Sequence, residues 1–273
     1  RQYQTVSDDR RRRKVRLYDL RHLCINGDIC TLSSFRIPEK KRDKEAVMKV
    51  LRGLFIVICL SAAVLTGTFA VYKISDDLRG VKEFRQLKEQ AAVRNDRYED
   101  AAAVTEEGAL NIPLEVDLDA LTGINPDTCG WLYIPCLDIS YPVMYSEDNE
   151  YYLHRGFDGE YLLSGTLFAD MACKPDFTSA HSVIYGHSMT NGTMFGKLKD
   201  IVYSGAADKD PYFWIFTQGA SMRYRIFAAF ETDEVQGFLK VYDSICPEYE
   251  ALCGKMLEAS FIETETDKVL KSR

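Results

Sequence analysis

His187 stands at the junction between a short apolar run and a polar turn. Residues 182–186 form the run, and residues 188–193 form a glycine-containing turn that ends at the apolar pair Met194 and Phe195. A strand that ends in an exposed loop can present an imidazole to a substrate, and an imidazole can give or take a proton near neutral pH. We therefore predict a strand over the run and a helix start at the apolar pair. His187 is then either a catalytic residue or an ordinary structural residue. The apolar run alone does not distinguish these two interpretations.

Two other histidines lie nearby without the same context. His181 precedes the predicted strand, and His154 follows the aromatic residues Tyr151 and Tyr152. Both positions are typical of surface histidines. We expect neither of them to be catalytic.

The charges of the chain are distributed unevenly along its length. The 273 residues include 34 Lys and Arg against 41 Asp and Glu, a net charge of −7. Residues 1–52 have 15 against 7, whereas residues 73–273 have 19 against 34, and residues 53–72 between them have no charge. An apolar run of about 20 residues spans about 30 Å as a helix, the thickness of the hydrocarbon core of a bilayer. Residues 53–72 are therefore predicted to be a transmembrane helix rather than a buried core helix.

The flanks of this run predict its orientation. Basic residues precede it, and Asp76 and Asp77 follow it. By the positive-inside rule, residues 1–52 are a basic cytoplasmic segment, and residues 73–273 lie outside a cell membrane that the chain crosses once. The basic cluster at residues 10–14 could indicate nucleic-acid binding, but beside a membrane span it is better explained by attraction to lipid headgroups. We therefore predict membrane lipid, and no nucleic acid, as a partner.

Residues 73–110 are predicted to form a juxtamembrane helix and linker. Ser75, with the acids that follow it, is typical of a helix start. Apolar side chains then recur at helical spacing, at Leu78, Val81, Phe84, Leu87 and Ala91. This stripe either packs on the following domain or belongs to a solvated stalk, and both interpretations remain open at this point.

Residues 111–273 consist of short apolar segments with turn residues between them. Residues 212–216 and 222–230 are typical of strands, and a helical stripe follows Pro247, which suits a first helical turn. Many strands, two or three helices and no alternation of strand and helix predict a mainly β, α+β domain rather than a doubly wound sheet.

The eight cysteines show no spacing typical of a metal site. Cys246 and Cys253 would lie two turns apart on one helix, which is too far for a disulfide. We expect free thiols, with Cys253 in the core and Cys173 in a loop where it could be exposed. We predict neither a metal nor a cofactor.

Several segments of the chain resemble, in the same order, segments of the class B sortases, the cysteine transpeptidases that join proteins to the cell wall of Gram-positive bacteria. These segments are residues 124–135, 139–143, 148–154, 164–170 and 182–196. The resemblance covers roughly residues 110–270. It implies a sortase-type closed β-barrel with N-terminal helices, and a sortase catalytic domain over residues 111–273.

The resemblance also implies a reaction and its partners. In the family, a cysteine thiolate attacks the threonine carbonyl of an Asn-Pro-x-Thr sorting signal, and a histidine protonates the leaving amine. An arginine stabilises the oxyanion, and an amine of a peptidoglycan precursor releases the product from the thioester. His187 matches the family histidine. The family's cysteine and arginine would follow residues 264–270, where this sequence has only residues 271–273. We therefore expect a C-terminally truncated, inactive fragment that lacks the last strands of the barrel.

Two other interpretations remain open. A non-catalytic, membrane-anchored, sortase-like accessory protein would bind a sorting-signal peptide or assist a second sortase without a nucleophile. A more distant alternative is an unrelated single-span receptor with a small β-domain.

Overall fold

The computed structural model describes residues 41–95, 112–233 and 235–263. The chain divides into two compact units, residues 1–59 and residues 60–273. The basic cluster at residues 10–14 and the segment at 264–270 lie outside the described residues.

Helix α1, Lys41–Ala91, is one continuous helix of 51 residues. By length and composition it is able to cross a membrane, and it contains the predicted apolar run. The predicted helix start at Ser75 is wrong, because the Ser75 hydroxyl donates to the carbonyl of Tyr72 at 2.8 Å within the helix. A serine can satisfy its hydroxyl in this way inside a helix, and no glycine or proline interrupts the chain at this point.

The C-terminal part of α1 belongs to the second unit and packs against the rest of that unit. Phe84, Leu87 and Ala91 are buried in its core, whereas Leu78, on the predicted stripe, is 63% exposed. From about residue 81 onwards, the stripe is therefore a face that docks on the domain. Of the two interpretations of this stripe, the structure favours packing on the domain over a solvated stalk.

In the part of the chain that the structure describes, eight strands follow α1. They are β1 (Ala92–Arg94), β2 (Leu114–Val116), β3 (Thr128–Ile134), β4 (Ile139–Tyr145), β5 (Leu167–Ala169), β6 (Ile184–Tyr185), β7 (Tyr212–Phe216) and β8 (Ser221–Arg225). β1 and β2 pair with each other, and the other six form one curled sheet in the order β6-β5-β4-β3-β7-β8. Within the described residues, β6 and β8 are the edges of this sheet. The fold is α+β, as predicted.

The helices of the domain are short and surround the sheet. They are α2 (Leu118–Ile124), α3 (Asp200–Tyr203), α4 (Ala206–Lys209) and α5 (Pro247–Ala259). α5 begins at Pro247, as predicted. The helix predicted to start at Met194 and Phe195 begins instead at Asp200, because Met194 forms an isolated β-bridge and residues 195–199 form turns.

Two predicted strands are shorter than expected. The strand predicted at 222–230 is β8, which ends at Arg225. The N–H of Ile226 still donates to the carbonyl of Pro211 at 2.7 Å, but the chain then leaves β7. Of the strand predicted at 182–186, only the two residues of β6 are regular strand.

One crossover connection matters for the site. β4 and β5 are parallel neighbours, so the chain must cross over between them. The crossover contains a 3₁₀ turn, Tyr151–His154, in which Tyr152 is buried. The Tyr152 hydroxyl donates to Asp127 at 2.7 Å, which ties the crossover to the turn before β3.

The core lies between the sheet, α1 and the crossover. Trp131 on β3 and Trp214 on β7 are 0% and 1% exposed. The indole N–H of Trp131 donates to the Ser140 hydroxyl of β4 at 3.0 Å, which satisfies a buried polar group inside the sheet.

Candidate active site

His187 directly follows Gly186, which joins it to β6. The side chains of Leu167 and Phe195 pack against Gly186 so closely that a Cβ at this position would overlap Leu167. Any other residue at this position would force the Leu167 and Phe195 side chains to move. The strand end and the absence of a side chain at residue 186 together set where the His187 backbone lies.

The polar turn after His187 brings the chain back to the His187 backbone. The N–H of Phe195 donates to the carbonyl of His187 at 3.0 Å. Inside the turn, the Asn191 side-chain oxygen accepts the N–H and the hydroxyl of Thr193 at 3.0 and 2.6 Å. Such a bond from Asn to the residue two positions later is an Asx turn, so the sequence after His187 builds a closed loop.

Met194 anchors this loop to the sheet. It forms an isolated antiparallel bridge with Ser188, and its side chain is 1% exposed. Its N–H donates to the Tyr141 hydroxyl of β4 at 3.3 Å. The loop is thus attached to the core as well as to the end of β6.

A second histidine, His154, contacts His187. The two ring centroids are 5.1 Å apart, and the ring planes are tilted by 34°. His154 ends the 3₁₀ turn of the β4–β5 crossover. It is exposed, as expected, but its contact with His187 was not predicted. No local pattern could have shown it, because the two residues meet only through the β4–β5–β6 arrangement.

The environment of His187 favours the neutral imidazole. The residue is half-buried, and its Nδ1 is buried with no hydrogen-bond partner among the described residues. Burial lowers the pKa of His187 below its ordinary value, and nearby His154 lowers it further. A neutral imidazole accepts a proton first and can then donate it to a leaving group.

A buried polar network lies beneath the strand that leads to His187. The Tyr185 hydroxyl donates to Asp170 at 2.6 Å, and the Asn149 amide donates to the same carboxylate at 3.0 Å. The other Asp170 oxygen accepts the N–H of Ala172 at 2.8 Å. Burial and the neighbouring Asp170 raise the pKa of Tyr185. These residues were not among the predicted site residues, although Asn149 and Asp170 both lie in segments that resemble the family.

The described cysteines form no disulfide with one another. Burial raises the pKa of Cys129 to about 12 and that of Cys136 to about 11. Both thiols are therefore protonated at neutral pH, whereas the nucleophile in cysteine chemistry is the thiolate.

Cys173 is not exposed, which corrects the expectation of an exposed loop position. It is 4% exposed, and its sulfur accepts the N–H of Val183 at 3.2 Å. The loop after β5 folds inward because the N–H of Asp170 also bonds the carbonyl of Val183, at 2.9 Å. Cys253 is 3% exposed in the core, as predicted.

An apolar cleft of about 500 Å³ opens beside β6 and β8. Its lining includes Ile184 of β6 and Tyr224 of β8, and His181 also lies along it. The Nδ1 of His181 contacts the carbonyl of Lys240 at 2.7 Å, so this histidine has a structural partner. Within the described parts of the chain, no group of three or more His, Cys, Asp or Glu could hold a metal ion.

Comparison with known proteins gives two curated relatives, while no family model matches the chain. The chain is 35% identical over 138 residues to Sortase B of Listeria monocytogenes, which covers 49% of this chain and 56% of that protein. It is 22% identical over 155 residues to Sortase B of Staphylococcus aureus, which covers 57% of this chain and 64% of that protein. The chain thus spans less than two thirds of the length of either relative.

Solved structures share the fold. Sortase B from B. anthracis matches with a TM-score of 0.57 at 23% identity, over 71% of this chain and 85% of that one. A Staphylococcus aureus sortase B–substrate complex matches with a TM-score of 0.51 at 22% identity, over 54% of this chain and 68% of that one. The chain is therefore similar in sequence to two Sortase B proteins and shares the fold of solved sortase B structures, and both findings support the resemblance to class B sortases.

Proposed function

We propose that this protein serves sortase-type acyl transfer on the outer side of the cell membrane, with His187 as the residue that protonates the leaving amine. One observation carries the proposal. In a fold shared with sortase B, the half-buried His187 follows the end of β6, and its backbone is fixed by the packing at Gly186 before it and by the N–H of Phe195 after it. Its lowered pKa supports the same role, because a weakly basic imidazole, once protonated, gives up its proton readily.

The proposed chemistry has two steps. His187 first takes the proton of a cysteine thiol, and the resulting thiolate adds to the threonine carbonyl of an Asn-Pro-x-Thr sorting signal. The peptide C–N bond then breaks as His187 gives that proton to the departing nitrogen, and a thioester and a neutral His187 remain. In the second step, an amine of a peptidoglycan precursor attacks the thioester carbonyl and gives a proton to His187, the C–S bond breaks, and the thiolate that leaves takes the proton back from His187.

Four of the six described cysteines do not suit the role of nucleophile. Cys129 and Cys136 have raised pKa values, and Cys173 and Cys253 are buried in the core. The proposal therefore assigns neither the thiolate nor the oxyanion-stabilising arginine to a described residue. It assigns to this chain the histidine and the surface on which the substrate is held.

The proposed location follows from the charge pattern around residues 53–72 and from α1. The basic residues 1–52 lie in the cytoplasm and contact lipid headgroups, and α1 crosses the membrane once. The domain after it lies outside, where sorting signals and wall precursors are accessible.

A chimera tests the function. The chain is joined to the C-terminal part of Listeria monocytogenes Sortase B, which by family resemblance carries the cysteine and the arginine. We expect the chimera to cleave a fluorogenic Asn-Pro-x-Thr peptide, and the 273-residue chain alone not to. His187→Ala in the chimera should lower the cleavage rate by about 10²–10⁴-fold, the usual contribution of a positioned acid or base.

The matched control in the chimera is His181→Ala, which should retain most of the activity. Thermal melts of the chimera and both variants separate a catalytic loss from unfolding. Unchanged cleavage by the folded His187→Ala chimera would overturn the assignment of His187. Peptide binding without cleavage by the folded parent chimera would instead favour an accessory binding protein.

A further inference from the structure

The contact between His154 and His187 joins two elements that are distant in sequence. His154 ends the 3₁₀ turn of the β4–β5 crossover, and His187 follows β6. With centroids 5.1 Å apart and planes tilted by 34°, the rings are close enough for a charge on one to act on the other. His154 also lies near the Tyr161 ring, with 6.2 Å between centroids.

The His154 ring is held by the loop that it faces. Its Nδ1 lies 3.3 Å from the carbonyl oxygen of Leu163. Because a carbonyl can only accept, Nδ1 is the nitrogen that donates in this contact. The carbonyl of His154 accepts the N–H of Leu162 at 3.0 Å, so backbone and side chain are both bound to the same loop.

The loop is in turn bound by α1. The Asp76 carboxylate accepts the N–H of Leu163 at 2.8 Å, and Arg79 donates to the carbonyl of Tyr161. Glu83 of α1 also accepts the N–H of Asp158 in this loop, at 3.1 Å, so three charged side chains of α1 bond the backbone of the loop. Leu163 therefore links α1, through its N–H, to His154, through its carbonyl.

His187 receives no comparable support at its own ring. Its Nδ1 is buried and has no hydrogen-bond partner within the described residues. In catalytic triads a third group orients the imidazole through this nitrogen. Here the neighbouring ring that contacts His187 belongs to His154.

We propose that His154 is a positioning residue for His187, which holds the His187 ring by direct contact and couples its charge state to that of a second imidazole. The proposal rests on the assigned role of His187 as proton donor. Because two adjacent imidazolium ions repel each other, a positive charge on His154 disfavours a positive charge on His187. The lowered pKa of His187, with burial as its larger cause and His154 as the second, agrees with this coupling.

The test is a histidine titration of the whole chain in detergent micelles, followed by NMR of ¹³C-labelled histidines. The chain has four histidines, and single substitutions assign their signals. His154→Phe keeps a ring against His187 and removes the charge. We expect the titration midpoint of His187 to rise in this variant, yet to stay below that of an exposed histidine, because burial remains. Salt at about 1 M should raise the wild-type midpoint in the same direction.

His181→Phe is the matched control and should leave the His187 midpoint unchanged. If His154→Phe does not fold, as judged by a thermal melt, His154→Gln replaces it, with the same expected rise. An unchanged or lower His187 midpoint in a folded variant would overturn the proposal. The titration needs no turnover, so its result is independent of whether the chimera cleaves a peptide.

Discussion

Single residues around His187 show how the site depends on buried polar groups. Tyr185 lies two residues before His187, and its hydroxyl donates to Asp170, which is 8% exposed. A buried carboxylate is tolerated only when hydrogen bonds satisfy it. The sheet therefore needs this tyrosine hydroxyl next to the strand end that presents His187.

Tyr185→Phe should lower the free energy of unfolding by about 1–3 kcal/mol, the cost of leaving a buried acceptor with one bond fewer. Unfolding in urea, followed by the fluorescence of the buried Trp131 and Trp214, measures the change. Tyr203→Phe is the control, because Tyr203 is 70% exposed although its hydroxyl also reaches a carboxylate, Glu231. Equal stability losses in the two variants would contradict the role of the Tyr185–Asp170 bond.

At the scale of elements, the docking of α1 depends on ionisable groups on its inner face. Glu83 accepts the N–H of Asp158 at 3.1 Å through one oxygen, while its other oxygen is buried without a hydrogen-bond partner within the described residues. Burial raises the pKa of Glu83 from its ordinary value of 4.5, and the nearby Asp158 charge adds to the rise. Keeping this carboxylate ionised therefore opposes docking of the helix.

The sign of the pH dependence follows from the raised pKa. A carboxyl whose pKa is higher in the folded state stabilises the fold fully below its unfolded pKa, and this contribution is lost as the pH rises through the folded value. Glu83→Gln keeps a hydrogen-bond acceptor and removes the titration. The variant should gain in Tm over the wild type at about pH 7, and the gain should shrink towards about pH 4.5.

Paired thermal melts at the two pH values measure this difference. Glu89→Gln, at an exposed position on the same helix, should show no such pH-dependent gain. A Glu83→Gln protein whose Tm differs from the wild type by the same amount at both pH values would show that Glu83 titrates alike in the folded and unfolded chain.

At the scale of the whole molecule, we predict on which side of the membrane the N-terminus and the C-terminal domain lie. α1 has the length and composition to cross a bilayer, and the excess of Lys and Arg in residues 1–52 predicts that the N-terminus stays inside. Protease added to intact cells should digest the domain in residues 73–273 and spare a tag at the N-terminus. Permeabilised cells, in which both parts should be digested, provide the control. Protection of the domain in intact cells would reverse the orientation.

The features that the sequence determined are those that depend on local composition and spacing. The uncharged run at 53–72 predicts a helix of membrane length because length and polarity are sufficient for that inference. The strand at 212–216, the start of α5 at Pro247 and the α+β class followed from alternation and turn residues, and the structure confirmed them. The segments around residues 124–196 identified the class B sortase family, which sequence relatives and fold support.

The tertiary structure alone decided which distant residues meet. The contact of His154 with His187, the burial of Cys173 and the attachment of Asp76 and Glu83 to residues 158–163 join parts of the chain that no periodicity relates. Each depends on the parallel pairing of β4 with β5 or on the docking of α1. Strand pairing and helix packing are set by side chains that become neighbours only after folding, so local patterns do not contain them.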